Sequence, residues 1–358
     1  MLFRRHGDSF SDLALLFPSR RARLFLAEEL ANLSEGPLWE PEWLSVDGLM
    51  EELSGLHLGD RLRLITELYR VYSHHHTEDF DHFYFWGEML LADFDMIDKY
   101  RVDAEMLFCN IADLKQLEAD LSYMNEEQRR LINRFWKGVL QESADTEERR
   151  RFLRIWNSLY AIYQEFRGAL FKLGFAYSGM LQREAADRLK RGEVSLPTDK
   201  RYVVAGFNAL SECEKVLFDH LRSLGAEFYW DYDNYYVGSE EQEAGMFLRE
   251  NRSRYPEAEG EITHDNFKEN KELQVVSTSS DIVQCKSVSS LLNAFREKDS
   301  EGRPLPLDKR TAIVLTDETL LMPLLHALEK PREQERSDAV NVTMGFPVRQ
   351  SVVYTFVE

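Results

Sequence analysis

The stretch from Lys200 to Leu221, KRYVVAGFNALSECEKVLFDHL, contains the local signals that determine the fold class. Its apolar run Tyr202–Ala205 is rich in β-branched residues, which predicts a buried strand that stops at Gly206. Ser211, followed three residues later by Glu214, forms a capping box, so the spacing predicts a helix that starts here. Strand, tight turn and helix in this order are typical of a parallel α/β sheet, in which ligands bind at the carboxyl ends of the strands.

The end of this strand lacks the acidic residues that nucleotide hydrolysis requires. In P-loop enzymes the corresponding strand ends in carboxylates that hold Mg²⁺ and orient the attacking water. The residues in that place are Ala205, Gly206, Phe207 and Asn208. The first carboxylate is Glu212, inside the predicted helix. We predict no catalytic residue and no metal ligand in this chain.

An arginine-rich segment follows the first predicted strand. The apolar run Leu13–Phe17 predicts a buried strand, and Ser19 is expected to cap a helix that runs from Arg20 to Leu33. The first turn of this helix contains three arginines: Arg20, Arg21 and Arg23. Backbone N–H groups and the helix dipole favour an anion there, so these arginines are candidates for phosphate binding. The alternative is that they form a solvated helix face.

Several strings, spread over nearly the whole chain, resemble one known family. They include FPSRRARLFLAEEL, FYFWGEMLLADFDMIDKYRVDAEMLF, GFNAL followed by an acidic residue, YWDYD, IVLTDETLLMPLLHAL and VNVTMGFPVRQS. These strings resemble the AddB/RecC-like family, the inactivated superfamily-1 helicase subunits of bacterial helicase–nuclease complexes. They look in particular like the branch of Bacteroidetes-type bacteria, whose proteins carry a PD-(D/E)xK nuclease domain nearer the C-terminus.

The resemblance implies an α/β fold with a degenerate RecA-like parallel sheet of the P-loop helicase type. Residues 1–50 would form the first part of domain 1A, and residues 51–192 a large all-helical insertion similar to domain 1B. Residues 193–270 would complete domain 1A and form a connector, and residues 271–358 would be the truncated start of a second RecA-like domain, 2A.

The last region shows alternating strand and helix patterns. Strands are predicted at Leu273–Ser277 and Thr311–Leu315, and helices at Asp281–Phe295 and Asp317–Leu328. The final residues SVVYTFVE have a helical pattern without a stop signal, so we expect the chain to be an N-terminal fragment.

The function implied by the resemblance is DNA guidance without ATP hydrolysis. The family role is to bind single-stranded DNA or duplex ends during double-strand-break processing and recombinational repair, with Ser19, Arg20, Arg21 and Arg23 at the DNA. The same resemblance implies that the turn Ala205–Asn208 is a degenerate nucleotide and metal site. An AddA-type helicase–nuclease subunit would be the partner. Mg²⁺ would serve only a downstream nuclease domain, and no cofactor is expected in this chain. No G-x-x-x-x-G-K-[ST] loop occurs in the sequence, which argues against an ATPase.

The helical region contains two polar groups and one aromatic group that we interpret as structural. Asp93, Asp95 and Asp98 are expected on a solvated or inter-helix polar face, and His74–His76 in a polar loop between helices, because neither group has metal-ligand spacing. Eight aromatic residues could stack on DNA bases but are expected in the core: Phe83, Phe85, Trp86, Phe135, Trp136, Trp156, Tyr160 and Tyr163.

Two acidic motifs in the later part of the chain are also interpreted as structural. The string AEFYWDYDNYY predicts a strand whose acidic residues, Asp231 and Asp233, lie in the turn after it. Glu269-Asn270-Lys271, with Asp265 upstream, is formally an E-x-K nuclease motif. It lacks the apolar strand that should hold carboxylates over Mg²⁺, so we interpret it as a chance match.

The composition limits the possible functions. A formal net charge of −19 argues against non-specific coating of nucleic acid and favours the alternative that the degenerate fold is only a protein-interaction scaffold. The three cysteines are widely separated, which predicts reduced, mostly buried thiols. No apolar run approaches a membrane span and no signal peptide is evident, so we expect a cytoplasmic protein without membrane contact.

Overall fold

The computed structural model describes residues 2–109 except 8, 20 and 35, residues 147–258, and residues 264–356 in part. The chain divides into two compact units, Met1–Glu269 and Asn270–Glu358. The first unit combines helices with strands, which makes the protein an α/β protein, and the described part of the second unit consists of helices and irregular segments.

The first unit contains most of the regular structure. Its described strands are β1 (Leu13–Phe17), β2 (Glu42–Ser45), β3 (His57–Leu58), β4 (Phe175–Ala176), β5 (Arg201–Ala205) and β6 (Glu227–Tyr229). Its described helices are α1 (Leu2–His6), α2 (Ala22–Leu33), α3 (Val46–Ser54), α4 (Arg61–Tyr72), α5 (Phe80–Lys99), α6 (Ala104–Cys109), α7 (Glu147–Leu173), α8 (Ser178–Arg191), α9 (Glu212–Ser223), α10 (Asn234–Val237) and α11 (Met246–Arg254).

A four-stranded parallel sheet organises this unit. Its strand order is β2-β1-β5-β6, and Leu16 on β1 pairs with Leu44 on one side and with Val204 on the other. The predicted strands at 13–17 and 202–205 and the predicted parallel pairing are therefore confirmed. Helices α3 to α8 lie between β2 and β5 along the chain, together with the small parallel β3–β4 sheet.

Both faces of the sheet are covered, because successive residues of a strand point to opposite sides. Leu13 and Leu15 face a small cluster that includes Leu30 of α2. Ala14 and Leu16 face a much larger core, which continues without interruption into the helical region. The helices inserted between β2 and β5 therefore share one apolar core with the sheet.

The helix after β1 begins later than the sequence predicts. Its first helical residue is Ala22, and Arg21 occupies the N-cap position without a side-chain cap hydrogen bond. The prediction that Ser19 caps a helix from Arg20 is therefore wrong, because a capping hydroxyl must lie next to the first helical residue to reach its N–H groups. Arg20 lies outside the described residues.

The second unit contains the helices α12 (Asp281–Phe295) and α13 (Leu321–Ala327), and a 3₁₀ turn capped by Asp317 precedes α13. Both helix predictions are confirmed. The predicted strands at 273–277 and 311–315 are irregular, so these two predictions are wrong. Val275 is 97% exposed and Val314 is 83% exposed. A β-branched run becomes a strand only where a neighbouring strand pairs with it, and the described part of this unit contains no such strand.

Among the described helices, none is both long enough and apolar enough to cross a membrane.

Candidate functional site at the carboxyl edge of the sheet

The two sequence segments assigned to nucleotide and phosphate binding meet at one edge of the sheet. Strands β1 and β5 are parallel neighbours, so the residues that follow them lie side by side. Gly206 has φ +80°, and a Cβ added to it would lie 3.7 Å from the Cδ of Pro18. The turn that contains Ser19 and the turn of residues 205–208 are therefore adjacent.

The turn after β5 is held by apolar packing and one buried hydrogen bond. Phe207 is buried, and its ring lies edge-on to Phe218 with the centroids 5.0 Å apart. The carbonyl oxygen of Asn208 accepts a hydrogen bond from Nδ2 of the buried Asn251, at 2.5 Å. This turn presents no carboxylate to the edge.

Helix α9 begins after this turn with the predicted capping box. Oγ of Ser211 accepts a hydrogen bond from the Glu214 N–H at 3.2 Å, and the Ser211 N–H donates to Oε2 of Glu214 at 2.7 Å. This prediction is confirmed. The reciprocal bonds satisfy two N–H groups that would otherwise lack partners at the start of the helix.

The arginines after β1 are only partly available for an anion. Arg23 donates from Nη2 to Oε2 of Glu40 at 2.9 Å, and its guanidinium carbon lies 5.7 Å from the centre of the Trp43 ring. Arg21 is exposed at the start of α2. Sequence reasoning missed Glu40, because this acid belongs to the segment before β2 and approaches Arg23 only through the pairing of β1 with β2.

An open cleft of about 420 Å³ lies at the carboxyl end of the edge strand β6. Its lining includes Asp231, Asp233 and His264. Asp233 accepts hydrogen bonds from the N–H groups of Tyr235 at 2.8 Å and Phe267 at 2.9 Å, which confirms its predicted role in the turn. In the part of the chain that the structure describes, no group of three or more His, Cys, Asp or Glu side chains is arranged to hold a metal ion.

The residues of the E-x-K motif lie in an irregular segment. The carboxylate upstream of it, Asp265, forms an ion pair with Lys268 at 3.7 Å. Glu269, Asn270 and Lys271 are not part of a strand. The lack of strand structure agrees with the interpretation of this motif as a chance match.

A buried polar cluster in the helical region is the main feature that sequence reasoning missed. We call it the Asp98 cluster; its members are Asp98, Tyr163, Arg167, Tyr177 and Arg183. The phenols of Tyr163 and Tyr177 each donate to the carboxylate of Asp98 at 2.5 Å. Nη1 of Arg183 lies 3.2 Å from Oδ1 of Asp98, and Nη1 of Arg167 lies 3.4 Å from it.

Asp98 itself has no exposed surface. The prediction of an inter-helix position is confirmed, but a solvated position is excluded. Burial, followed by the negative charge of Asp98, raises the pKa of Tyr163 and Tyr177 well above the usual value of a phenol. Tyr163 and Arg167 belong to α7, Arg183 belongs to α8, and Tyr177 is the N-cap residue of α8. They lie 65 to 85 residues from Asp98 in sequence, so no local spacing could indicate them.

Asp95 and Cys213 form further contacts where α5 meets α8 and α9. Oδ1 of Asp95 accepts from the Gly179 N–H at 2.6 Å, and Oδ2 pairs with Lys99 at 2.6 Å. The thiol of Cys213 donates to the carbonyl oxygen of Asp98 at 3.4 Å, and burial raises the pKa of this thiol to about 12. The predicted burial of thiols is confirmed for Cys213 and Cys285.

The histidine segment forms the predicted polar turn between α4 and α5. Nδ1 of His74 lies 2.6 Å from Oε1 of Glu165, and Nε2 of His75 lies 3.2 Å from Oε2. His76 contacts Oγ of Ser158 at 2.8 Å. The hydrogen bond to His74 lowers the pKa of Glu165. These contacts attach the turn to α7.

The aromatic residues of the helical region are mostly in the core, as predicted. Phe83 and Tyr163 are buried, and Trp86, Trp156 and Tyr160 pack against the core from its margin. Phe85 is 77% exposed, so the prediction is wrong for this residue, because it lies on the outer face of α5. Phe135 and Trp136 lie outside the described residues.

Comparison of the chain with models of protein families and with curated proteins gave no match.

Proposed function

We propose that this chain is the helicase-like, ATPase-inactive N-terminal part of an AddB-type subunit that binds and guides DNA during double-strand-break processing. The observation that carries the proposal is the juxtaposition, at one carboxyl edge of a parallel sheet, of an arginine-bearing turn and a turn without carboxylates. Carboxyl edges are where open α/β sheets bind ligands. The insertion of a helical region between β2 and β5 agrees with the degenerate RecA-like architecture that the sequence strings imply.

The chemistry of this edge suits binding without hydrolysis. Arg20, Arg21 and Arg23 would contact backbone phosphates, and Arg21 and Arg23 lie at the N-terminus of α2, where the N–H groups and the helix dipole favour an anion. The buried Phe207 and the Asn208–Asn251 hydrogen bond occupy the turn in which an active enzyme holds Mg²⁺. ATP hydrolysis would belong to an AddA-type partner, and the nuclease with its Mg²⁺ to a downstream domain.

The proposal is tested by fluorescence anisotropy with a labelled single-stranded oligonucleotide. Contacts from three arginines to phosphates predict a slope of about −2 for log K against log salt, which is a loss of about 20-fold between 50 and 200 mM salt. Replacing Arg20, Arg21 and Arg23 by alanine should abolish the binding at moderate salt. The matched control replaces three arginines of α4 instead: Arg61, Arg63 and Arg70.

Equal weakening in both triple variants would show that only total charge matters and would refute the assignment of this edge. Absence of binding by the wild-type protein at low salt would favour the second candidate, a protein-interaction scaffold that no longer binds DNA. Two observations favour that candidate: the net charge of −19, and the ion pair that Arg23 already forms with Glu40.

A further inference from the structure

Helix α5 carries a continuous apolar stripe on its outer face. The stripe consists of Phe85, Met89, Ala92 and Met96, and we call it the outer stripe. The spacing i, i+4, i+7, i+11 places the four residues along one line of the helix. Phe85 is 77% exposed, Met89 64% and Met96 51%, so none of these large side chains contributes much to the core.

The opposite face of α5 is firmly packed. Phe83, Leu90 and Phe94 are buried in the large core, and Asp98 near the end of the helix belongs to the buried Asp98 cluster. Gly179 of α8 approaches the backbone of Asp95 so closely that a side chain could not fit between the two helices. The packing of α5 against the rest of the helical region therefore uses the face opposite the outer stripe.

Acidic residues border the outer stripe on both sides. At 100° per residue, Asp81, Glu88 and Asp95 lie along one border, and Asp93 lies along the other. Glu88 pairs with Arg61 at 2.9 Å and Asp95 pairs with Lys99 at 2.6 Å. No ion pair between described residues involves Asp81 or Asp93. Among the border acids, the charge that no described ion pair neutralises therefore comes from Asp81 on one side of the stripe and Asp93 on the other.

These charges favour a basic partner over a second copy of the chain. An antiparallel copy of α5 could align the stripe with itself, with Phe85 opposite Met96. That alignment places Asp93 opposite Glu88, whose charge is already paired with Arg61. Repulsion between two copies therefore comes from the net charge of −19 that each of them carries, whereas the same charge attracts a basic helix.

We propose that the outer stripe is a docking surface for an amphipathic helix of a protein partner. That helix would have apolar residues along one face and lysine or arginine residues on both sides of it. The mode of recognition is the packing of an amphipathic helix on a matching apolar face, with charges at the borders that select the partner. This surface is independent of DNA binding at the carboxyl edge of the sheet.

The test uses a fluorescein-labelled synthetic helix of about 20 residues, with leucine at the a and d positions of each heptad and lysine at e and g. Its binding to the full chain is measured by anisotropy. Phe85→Ser and Met89→Ser should each weaken binding about tenfold, as expected for central apolar anchors. Asp81→Lys combined with Asp93→Lys should weaken binding and reduce its dependence on salt.

The control variant is Phe171→Ser, because Phe171 is also an exposed phenylalanine of a described helix, in the last turn of α7. It should leave the affinity unchanged. Two control peptides carry glutamate in place of lysine, or the same residues in shuffled order, and neither should bind. Circular dichroism should show the same helix content in every variant.

Four results would overturn the proposal. The first is absence of binding by the wild-type chain. The second is equal binding of the shuffled peptide, and the third is equal weakening by Phe171→Ser. The fourth is a dimer of the wild-type chain in sedimentation that Phe85→Ser dissociates, without any binding of the peptide. That result would assign the stripe to a second copy.

Discussion

Replacing Asp98 by asparagine should strongly destabilise the first unit, although the two side chains have nearly the same shape. The carboxylate of Asp98 has no exposed surface, accepts hydrogen bonds from Tyr163 and Tyr177, and faces two guanidinium groups. The amide of asparagine has no charge and only one acceptor oxygen. The substitution therefore removes the counter-ion of Arg167 and Arg183 without removing any of the groups that need it.

The magnitude follows from these contacts. One phenol loses a hydrogen bond to a charged acceptor, which costs about 1.5–3 kcal/mol. Removing one partner of a fully buried ion pair costs about 3–5 kcal/mol, and this figure already includes part of the hydrogen-bond loss. The side chains of Arg167 and Arg183 are 25% and 20% exposed, so water compensates part of their lost pairing. We expect a decrease of about 3–4 kcal/mol in the free energy of unfolding.

Urea unfolding monitored by tryptophan fluorescence measures the stability of the first unit, because all six tryptophans lie within Met1–Glu269. With a slope of about 3 kcal/mol per molar urea, the midpoint should fall by about 1 M. The control is Asp93→Asn, the same substitution at an exposed position of the same helix, which should change stability by less than about 0.5 kcal/mol. Equal midpoints for the two variants would refute the role assigned to the Asp98 cluster.

Two further predictions concern residues that pack against α5, namely Gly179 of α8 and Cys213 of α9. Gly179→Ala places a methyl group against the carbonyl oxygen of Asp95 and should lower the free energy of unfolding in urea by about 3 kcal/mol. The control is Gly168→Ala, whose added methyl would meet nothing, and it should stabilise α7 by up to about 1 kcal/mol. Unchanged stability of Gly179→Ala would contradict the close packing of α5 on α8. Because burial raises the pKa of Cys213 to about 12, its thiolate fraction at pH 8 should be roughly a thousandfold below that of an ordinary thiol. Iodoacetamide labelling followed by mass spectrometry should then modify Cys213 only after unfolding, and labelling of the folded chain at the unfolded rate would show that the thiol is not buried.

Local sequence signals predicted the sheet and several helix termini. The strand at 13–17, the strand that ends at Ala205 and the capping box of Ser211 and Glu214 all form as expected. Each depends on residues within a few positions of one another: an apolar β-branched run, a glycine that adopts positive φ, or a hydroxyl three residues before a glutamate.

Each wrong prediction rests on a local sequence pattern that the folded structure does not follow. The runs at 273–277 and 311–315 have strand composition, but a strand also requires a paired neighbour, which composition cannot supply. Ser19 has the right chemistry for a cap, but the helix begins at Ala22. Phe85 fits the apolar pattern of α5, but the core covers only the face that carries Phe83 and Phe94.

The sequence predicted the two segments of the candidate site but not that they lie next to each other. The sequence shows an arginine-rich turn after β1 and a turn without carboxylates after β5, but only the pairing of β1 with β5 brings Pro18 and Gly206 together. Likewise, only tertiary structure brings Glu40 to Arg23.

The sequence by itself determined the turn and capped helix after β5 and the lack of carboxylates in that turn, because these properties are local. It predicted the parallel α/β class from the order of its strand and helix signals, and the pairing of distant strands realised that prediction. The tertiary structure alone decided that Asp98 is buried against two arginines and two tyrosines, and that the outer stripe faces solvent. The physical reason is that burial and charge pairing depend on which helices pack together, and residues far apart in the chain determine that packing.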